Sequence, residues 1–537
     1  MPILISFWSL AAAVGFDLDG MTLPVALLFF LYAEIHYRFK FTPSRLYRRQ
    51  PEILADVPQR LEPHTPLPVL LIVKDAGRFP CELQSLTVTL QLATPAADSS
   101  KPFTHQITFN EIITAPMWWR VVPVILPAEA RGLARVNVTI EYRIGGRQFR
   151  CVNDNYAGTR HAPLQLLLAE EPLPALPGFC QGDLHCHTDA TSDQVEFGAP
   201  AGAYAALGKA MGLSFCAATD HSYDLDDFPD DYLHNDPELR KWRRLQEEIH
   251  ALNASASGFV VIPGEEVSCG NAAGRNVHFL ILNHSRFIRG SGDSAERWLR
   301  TRPDHTIAEV LAQLEAGALA FAAHPAVPPP LLERVLLGRG HWADADLAHA
   351  RLNGLQFWNG GRLWEEQGMQ QWREMLLAGR RVYTIAGSDA HGNFNRFRQI
   401  SFPFVKMVEH HRHLFGSVRT AALLEGGLQL DSLLAALRHG RACITTGPLL
   451  DLRVTHAMGK QARLGDHISA ESGKIQISAV STEEWRKLFM RRSRLLERFI
   501  IRQKSRCRAP RVTSTCARKR APSVRRCCPS KVPVAAP

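Results

Sequence analysis

No apolar run in this chain reaches the ~20 residues that a spanning helix needs. The two longest, residues 2–15 (PILISFWSLAAAVG) and 21–33 (MTLPVALLFFLYA), are separated by Asp17 and Asp19. A signal peptide is disfavoured, because no basic residue precedes the first run and no small-residue cleavage site follows the second. Behind them the cluster Arg38, Lys40, Arg45, Arg48, Arg49 suits a cytoplasmic flank. Residues 1–60 therefore read either as a membrane anchor or interfacial helix, or as an apolar helix packed on the following domain. An organised cysteine framework is also missing. The eleven cysteines are scattered, and four of them (Cys507, Cys516, Cys527, Cys528) lie near the end of the chain, so buried free thiols in a reducing compartment are expected, in the cytoplasm or on the cytoplasmic face of a membrane.

Acidic residues are nearly absent from the last segment. Residues 486–537 hold 17 Lys and Arg against one acid, Glu497, and taking that +16 from the chain's +10 leaves −6 for residues 1–485. The basic character belongs to the tail alone. That tail has almost no aromatic residues beyond Phe489 and Phe499, so it offers charge without stacking platforms and makes a nucleic-acid partner the least favoured reading. It also lacks any strand or helix period and cannot bury enough apolar surface to order itself. It reads as a disordered nucleic-acid or membrane tail, or as the product of a reading-frame slip near residues 481–500.

The 46% hydrophobic content is enough for at least one large core. Residues 61–172 carry short alternating segments such as LQSLTVTLQLA and ARVNVTIEYRI, punctuated by turn residues such as Gly145-Gly146, the pattern of an antiparallel sandwich. After the Pro-rich stretch PLPALPG, apolar runs at 213–218, 258–262, 277–282, 319–323, 354–358 and 381–386 alternate with helical stretches at 237–252 and 307–316. This alternation predicts a parallel βα barrel over residues 173–450. A partial β unit at 451–485 precedes the tail.

Chemistry-bearing residues fall at the ends of those runs: His185 and His187 in GDLHCHTDATSD, Asp220 and His221 in CAATDH, Glu265 and Glu266 in VIPGEEVS. His324 in LAFAAHP and Asp389 with His391 in TIAGSDAH follow the same rule, while His278 in RNVHFLIL sits inside its run. A lone histidine on a strand is usually a satisfied core or surface residue. Five such segments in one βα region are not explained that way, because the C-terminal ends of parallel barrel strands converge on one face. Imidazole and carboxylate ligands without an organised thiolate set favour zinc, manganese or iron. His234, His250, His284, His305, His410, His411 and His413 lack this placement and read as surface or loop residues.

DLHCHT, ATDH, PGEE, AHP and SDAH resemble the ordered motifs of the PHP (polymerase and histidinol phosphatase) superfamily. The GDLHCHT start, the preceding sandwich and the ITTGP segment at 444–448 are similar to the branch that includes carbaryl-type hydrolases. The resemblance covers roughly residues 178–450 and implies a distorted (βα)7 barrel with two or three divalent metal ions. It places His185, His187, Glu266 and Asp389 on one ion, Glu266 as the bridge to a second held by His278 and His324, and His221, His391 and Asp193 on a third. Glu266 rather than Glu265 fits the family's Pro-Gly-x-Glu pattern. TDATSD is one residue longer than the usual spacing, which leaves Asp189 as the alternative to Asp193. Asp220 is an orienting candidate for a liganding imidazole, and Arg275, Asn359, Asn395 and Arg396 are candidates for an anionic substrate group. The expected enzyme is a hydrolase that uses a metal-bridged hydroxide on a small-molecule substrate, a phosphomonoester or nucleotide first, with a carbamate, amide or ester as the alternative.

Overall fold

The computed structural model describes residues 50–93, 101–155, 162–192, 198–255, 258–294, 301–329, 331–360, 364–396, 399–402, 405–408, 413–456, 458–468, 473–485 and 512–514. The readings made for the N-terminal apolar runs, and for nearly all of the basic tail, lie outside them. Among the described residues no helix is long and apolar enough to cross a membrane.

Nine strands come first: β1 (Glu52–Asp56), β2 (Arg60–Leu61), β3 (Leu67–Lys74), β4 (Cys81–Leu92), β5 (Phe103–Ile113), β6 (Met117–Val124), β7 (Gly132–Ile144), β8 (Arg147–Val152) and β9 (Leu164–Leu168). They divide into a sheet β1-β3-β6 and a sheet β2-β9-β7-β4-β5 with β8 added on β7. Residues of β4 alternate between buried and half-buried over most of its length, as a strand with one covered face requires. Val69, Leu71 and Val73 of β3 share a core with Val88, Val138 and Ile140. The opposite face of β3, through Leu70 and Ile72, joins a second core with Tyr204 and Leu207 of the next unit. Burial on both faces explains the uninterrupted apolar run LPVLLIVK.

The central unit is built on β10 (Phe179–His187), β11 (Phe215–Ala218), β14 (Val260–Gly270), β15 (Asn276–Leu282), β16 (Leu319–Ala323), β17 (Gly354–Asn359), β18 (Tyr383–Gly387), β19 (Ala390–His391), β22 (Arg419–Leu423) and β23 (Ala442–Thr445). The hairpins β12 (Asp227–Phe228) with β13 (Asp231–Asn235) and β20 (Gln399–Phe402) with β21 (Val405–Val408) lie off it. The helices are α1 (Ala201–Ala210), α2 (Ser222–Leu225), α3 (Arg240–Ala254), α4 (Ile307–Gln313), α5 (Leu331–Leu336), α6 (Asp344–Leu347), α7 (Glu365–Leu377) and α8 (Leu430–Arg438). Strand order is β18-β17-β16-β15-β14-β11-β10-β22-β23, with β19 on β10.

This overturns the expected (βα)7 barrel. Among the described residues strands account for 42% and helices for 18%, and the nine-strand sheet is mixed and nearly closed. The parallel pairs are β10–β11, β11–β14, β16–β17 and β17–β18, whereas β14–β15, β15–β16, β10–β22 and β22–β23 run antiparallel. The physical reason lies in the connections. Only residues 271–275 separate β14 from β15, and a parallel crossover needs a dozen residues or more.

Between β18 and its neighbours across the opening, side chains replace a regular ladder. Ser388 donates to Asp183 through its backbone N–H and its hydroxyl, Thr420 Oγ1 bonds to both backbone groups of Ala386, and Asp389 N donates to His185 O. Leu184, Phe215, Ile262, Leu280 and Phe321 fill the interior, and Leu433, Leu434 and Leu437 of α8 join that core. The chain then forms β24 (Leu449–His456), β25 (Gln461–Ala462), β26 (Gly473–Val480) and β27 (Val512–Ser514), in the order β25-β24-β26-β27. After β26, a short 3-10 turn at Glu483–Trp485 brings the Trp485 ring beside Arg60 and Arg419, whose guanidinium carbons lie 5.6 and 5.4 Å from its centroid.

Candidate metal centre

Six segments deliver polar side chains to one point. His185 and His187 end β10, His221 immediately precedes α2, and His324 follows β16. Asp389 lies between β18 and β19, and β19 pairs His391 with His187. Glu266 lies on β14, and His278 lies on β15 opposite Ser268, two residues from Glu266 and on the same sheet face. The register of β10 on β11 shifts between Asp183 and Cys186. Such a bulge inserts an extra residue and re-aims the side chains beyond it.

The lone-pair atoms of His185, His187, Glu266 and Asp389 are spaced as a tetrahedral ion requires. Ligand bonds of about 2.0–2.2 Å put neighbouring ligand atoms ~3.4 Å apart. His185 Nε2 lies 3.3 Å from His187 Nε2, 3.3 Å from Asp389 Oδ1 and 3.3 Å from Glu266 Oε2. His187 Nε2 lies 3.1 Å from Asp389 Oδ1 and 3.5 Å from Glu266 Oε2. Glu266 Oε2 is also 3.0 Å from His221 Nδ1, yet it is buried with no hydrogen bond of its own. An acceptor crowded by three imidazole nitrogens and aligned with none fits a ligand oxygen. The second oxygen, Oε1, faces His278 Nδ1 at 2.8 Å and His324 Nε2 at 3.2 Å. Two further sets, His187 with His221 and His391, and His221 with Glu266 and His278, are close enough to hold an ion. The residues present can therefore hold a metal ion.

Electrostatics set the charge of the cluster: against burial, Asp389 and Glu266 raise His185 to about 9. Burial opposes ionisation of Glu266, but the imidazoles of His278, His185 and His221 outweigh it and hold the carboxyl well below the usual range. Asp389 is likewise held down, against burial, by the charge of His185 and the hydrogen bond from His187. Burial, followed by the neighbouring His391 and His221, pushes His187 far down and keeps its ring neutral. Glu265 points to the other face of β14, where it accepts from Ser222 Oγ and Ile288 N at 3.3 Å and burial raises it to about 8.

No protein-family model matches the chain. No curated protein matches it either.

The structure brings together eight of the nine expected metal ligands; the ninth, Asp193, lies outside the described residues. Its alternative, Asp189, pairs with Arg244 at 2.9 Å. Asp220 touches the turn after β10 rather than an imidazole: it accepts from Thr188 N, Thr188 Oγ1 and Thr191 N, and Thr191 Oγ1 stands 3.4 Å from His187 Nδ1. Its role is one step removed from the ligand. Of the four substrate candidates, Asn359 alone contacts the cluster. Arg275 is exposed on the β14–β15 turn with its guanidinium on the Arg334 carbonyl. Arg396 is buried beside Asp56, and Asn395 bonds to Gln165 of β9, so both belong to the junction with the first two sheets. Asn359 donates to Asp389 Oδ2 at 3.0 Å.

Several residues at the site carried no signal in the sequence. His278 Nε2 faces Asp293 Oδ2 at 3.1 Å, and Arg339 Nε donates to the same oxygen at 2.6 Å. Arg339 keeps 21% of its side chain exposed and acts electrostatically on His278 and on the half-buried Tyr223, whose ring stacks on His221. Both Asp293 and Arg339 come from irregular loops, where no period marks them. His413, expected as a surface or loop residue, donates from Nδ1 to Ser388 O at 2.8 Å, beside Asp389.

Proposed function

We propose that this chain is a metal-dependent hydrolase of the PHP type, holding two or three zinc, manganese or iron ions and acting first on small phosphomonoesters or nucleotides. The observation that carries the reading is Glu266, whose two oxygens face different imidazole sets at 2.8–3.5 Å, the arrangement of a bridging carboxylate. Divalent cations bound there would supply an activated water and offset negative charge that develops on the substrate. The chain's own part is to hold two carboxylates and six imidazoles in place, with Asp293 receiving the outer nitrogen of His278. Arg339, a partly exposed guanidinium beside this cluster, favours an anionic substrate group over a neutral one. The described cysteines are free thiols, which supports a reducing compartment such as the cytoplasm or its membrane face.

Metal analysis of the purified chain, followed by parallel assays of an aryl phosphate and an aryl carbamate on one metal-loaded preparation, tests the reading. Two to three equivalents of metal, with phosphate turnover the larger and abolished by chelator, is the expected result. Less than one equivalent, or full activity in chelator, overturns the metal-dependent hydrolase. A carbamate rate larger by about an order of magnitude reverses the substrate ranking.

A further inference from the structure

Two residues of the metal cluster have a left-handed backbone: His324 at φ 29° and Asp389 at φ 58°. Non-glycine residues adopt such a conformation only at a cost, so the surroundings must over-determine it. Both are tied to the same short stretch of β17. The register of β17 on β18 shifts between Leu355 and Trp358, and within that bulge lies Gln356, which is fully buried. Its Oε1 accepts from His324 N at 2.9 Å. Its Nε2 donates to Asn359 Oδ1 at 2.8 Å and also faces the carbonyls of Trp358 and Gly387, each at 3.3 Å. Asn359 Nδ2 in turn donates to Asp389 Oδ2 at 3.0 Å. The other oxygen, Oδ1, is the one that faces His185 and His187.

We infer that Gln356 and Asn359 form a two-amide relay that positions His324 and Asp389 and makes Asp389 present a single oxygen to the metal centre. The inference rests on the metal-centre reading of the site. Its chemistry is directional. At Gln356 only an amide satisfies the pattern, because Oε1 must receive an N–H while Nε2 must face three oxygens; a glutamate would set a second oxygen against those three. With Asn359 occupying Oδ2, turning the Asp389 carboxylate would break a hydrogen bond. Gln356 and Asn359 are positioning residues: each acts through a ligand.

The test uses Co(II) as probe on the full chain, reading visible absorption during titration, with thermal unfolding measured in parallel. Asn359→Ala removes the last donor at a half-buried position and is expected to fold like the wild type, while weakening Co(II) binding about 10–100-fold and altering the d–d bands as Asp389 turns. Gln356→Glu should have the same or a larger effect; where it fails to fold, Asn359→Ala decides. His284→Gln serves as control and should match the wild type. Unchanged affinity and band shape in Asn359→Ala overturns the relay and leaves the metal centre standing. A wild-type chain that gives no Co(II) bands overturns the metal centre and the relay with it.

Discussion

Glu266 lies where the two halves of the cluster meet, and no neutral side chain can replace its charge between so many imidazoles. Glu266→Gln keeps the shape and should lose at least one equivalent of bound metal, whereas His284→Gln, which lies 3.7 Å from Glu315, should retain the full content; elemental analysis compares them. Equal losses would refute the bridging assignment. A second residue makes a prediction about pH. Asp56 is fully buried and receives N–H donors from Val57, Phe394 and Asn395. Burial raises it from its ordinary 3.8 to about 6, against the pull of Arg396. Asp56 therefore holds its proton more tightly folded than unfolded. Its contribution to stability is complete below pH 3.8 and is lost as pH rises through about 6. Urea unfolding at about pH 4 and about pH 7 should show the wild type losing on the order of 3 kcal/mol relative to Asp56→Asn across that window; a constant difference would contradict it. The clustered histidines are legible in the sequence because each follows or lies within an apolar run. Arg396 and Asn395 flank the SDAH motif, but there the chain has already turned towards β9.

At the scale of elements, two bulges and a hairpin place the ligands, and none of the three leaves a mark in the hydrophobic pattern. Apolar runs showed where strands lie but not which way they run, since periodicity reports burial and not direction. NAAGR between β14 and β15 was the readable clue, being too short for a crossover. Close approach of β18 to β10 is another feature that periodicity does not reveal. A Cβ on Gly387 would stand 2.4 Å from both N and Cβ of His185. Gly387→Ala should therefore cost about 1–3 kcal/mol or more and displace the His185 ligand, so that the melting temperature and the metal content fall together. A variant with a lowered melting temperature and undiminished metal would show that β10 yields without moving the ligand.

At the scale of the whole molecule, Trp485 joins units that the sequence presents as separate. Its ring packs against the core shared by β3 and α1 and lies beside Arg60 and Arg419, while Glu484 bonds to Arg60 at 3.0 Å. Trp485→Ala should cost on the order of 2–4 kcal/mol in urea unfolding, and a loss under about 0.5 kcal/mol would make the contact superficial. The seam between β18 and β10 has a different consequence. His278 is only twelve positions from Glu266, whereas Asp389 is more than two hundred from His185, so the two halves of the cluster close loops of very different length. An ion held by His185, His187, Glu266 and Asp389 would act as a clasp across that longer loop, where side chains stand in for a ladder. Stripped of metal, the molecule should breathe at this seam first. Hydrogen–deuterium exchange in chelator should accelerate at β18 and β19 well before the β14–β15 hairpin, and uniform acceleration would mean that the ion clasps nothing.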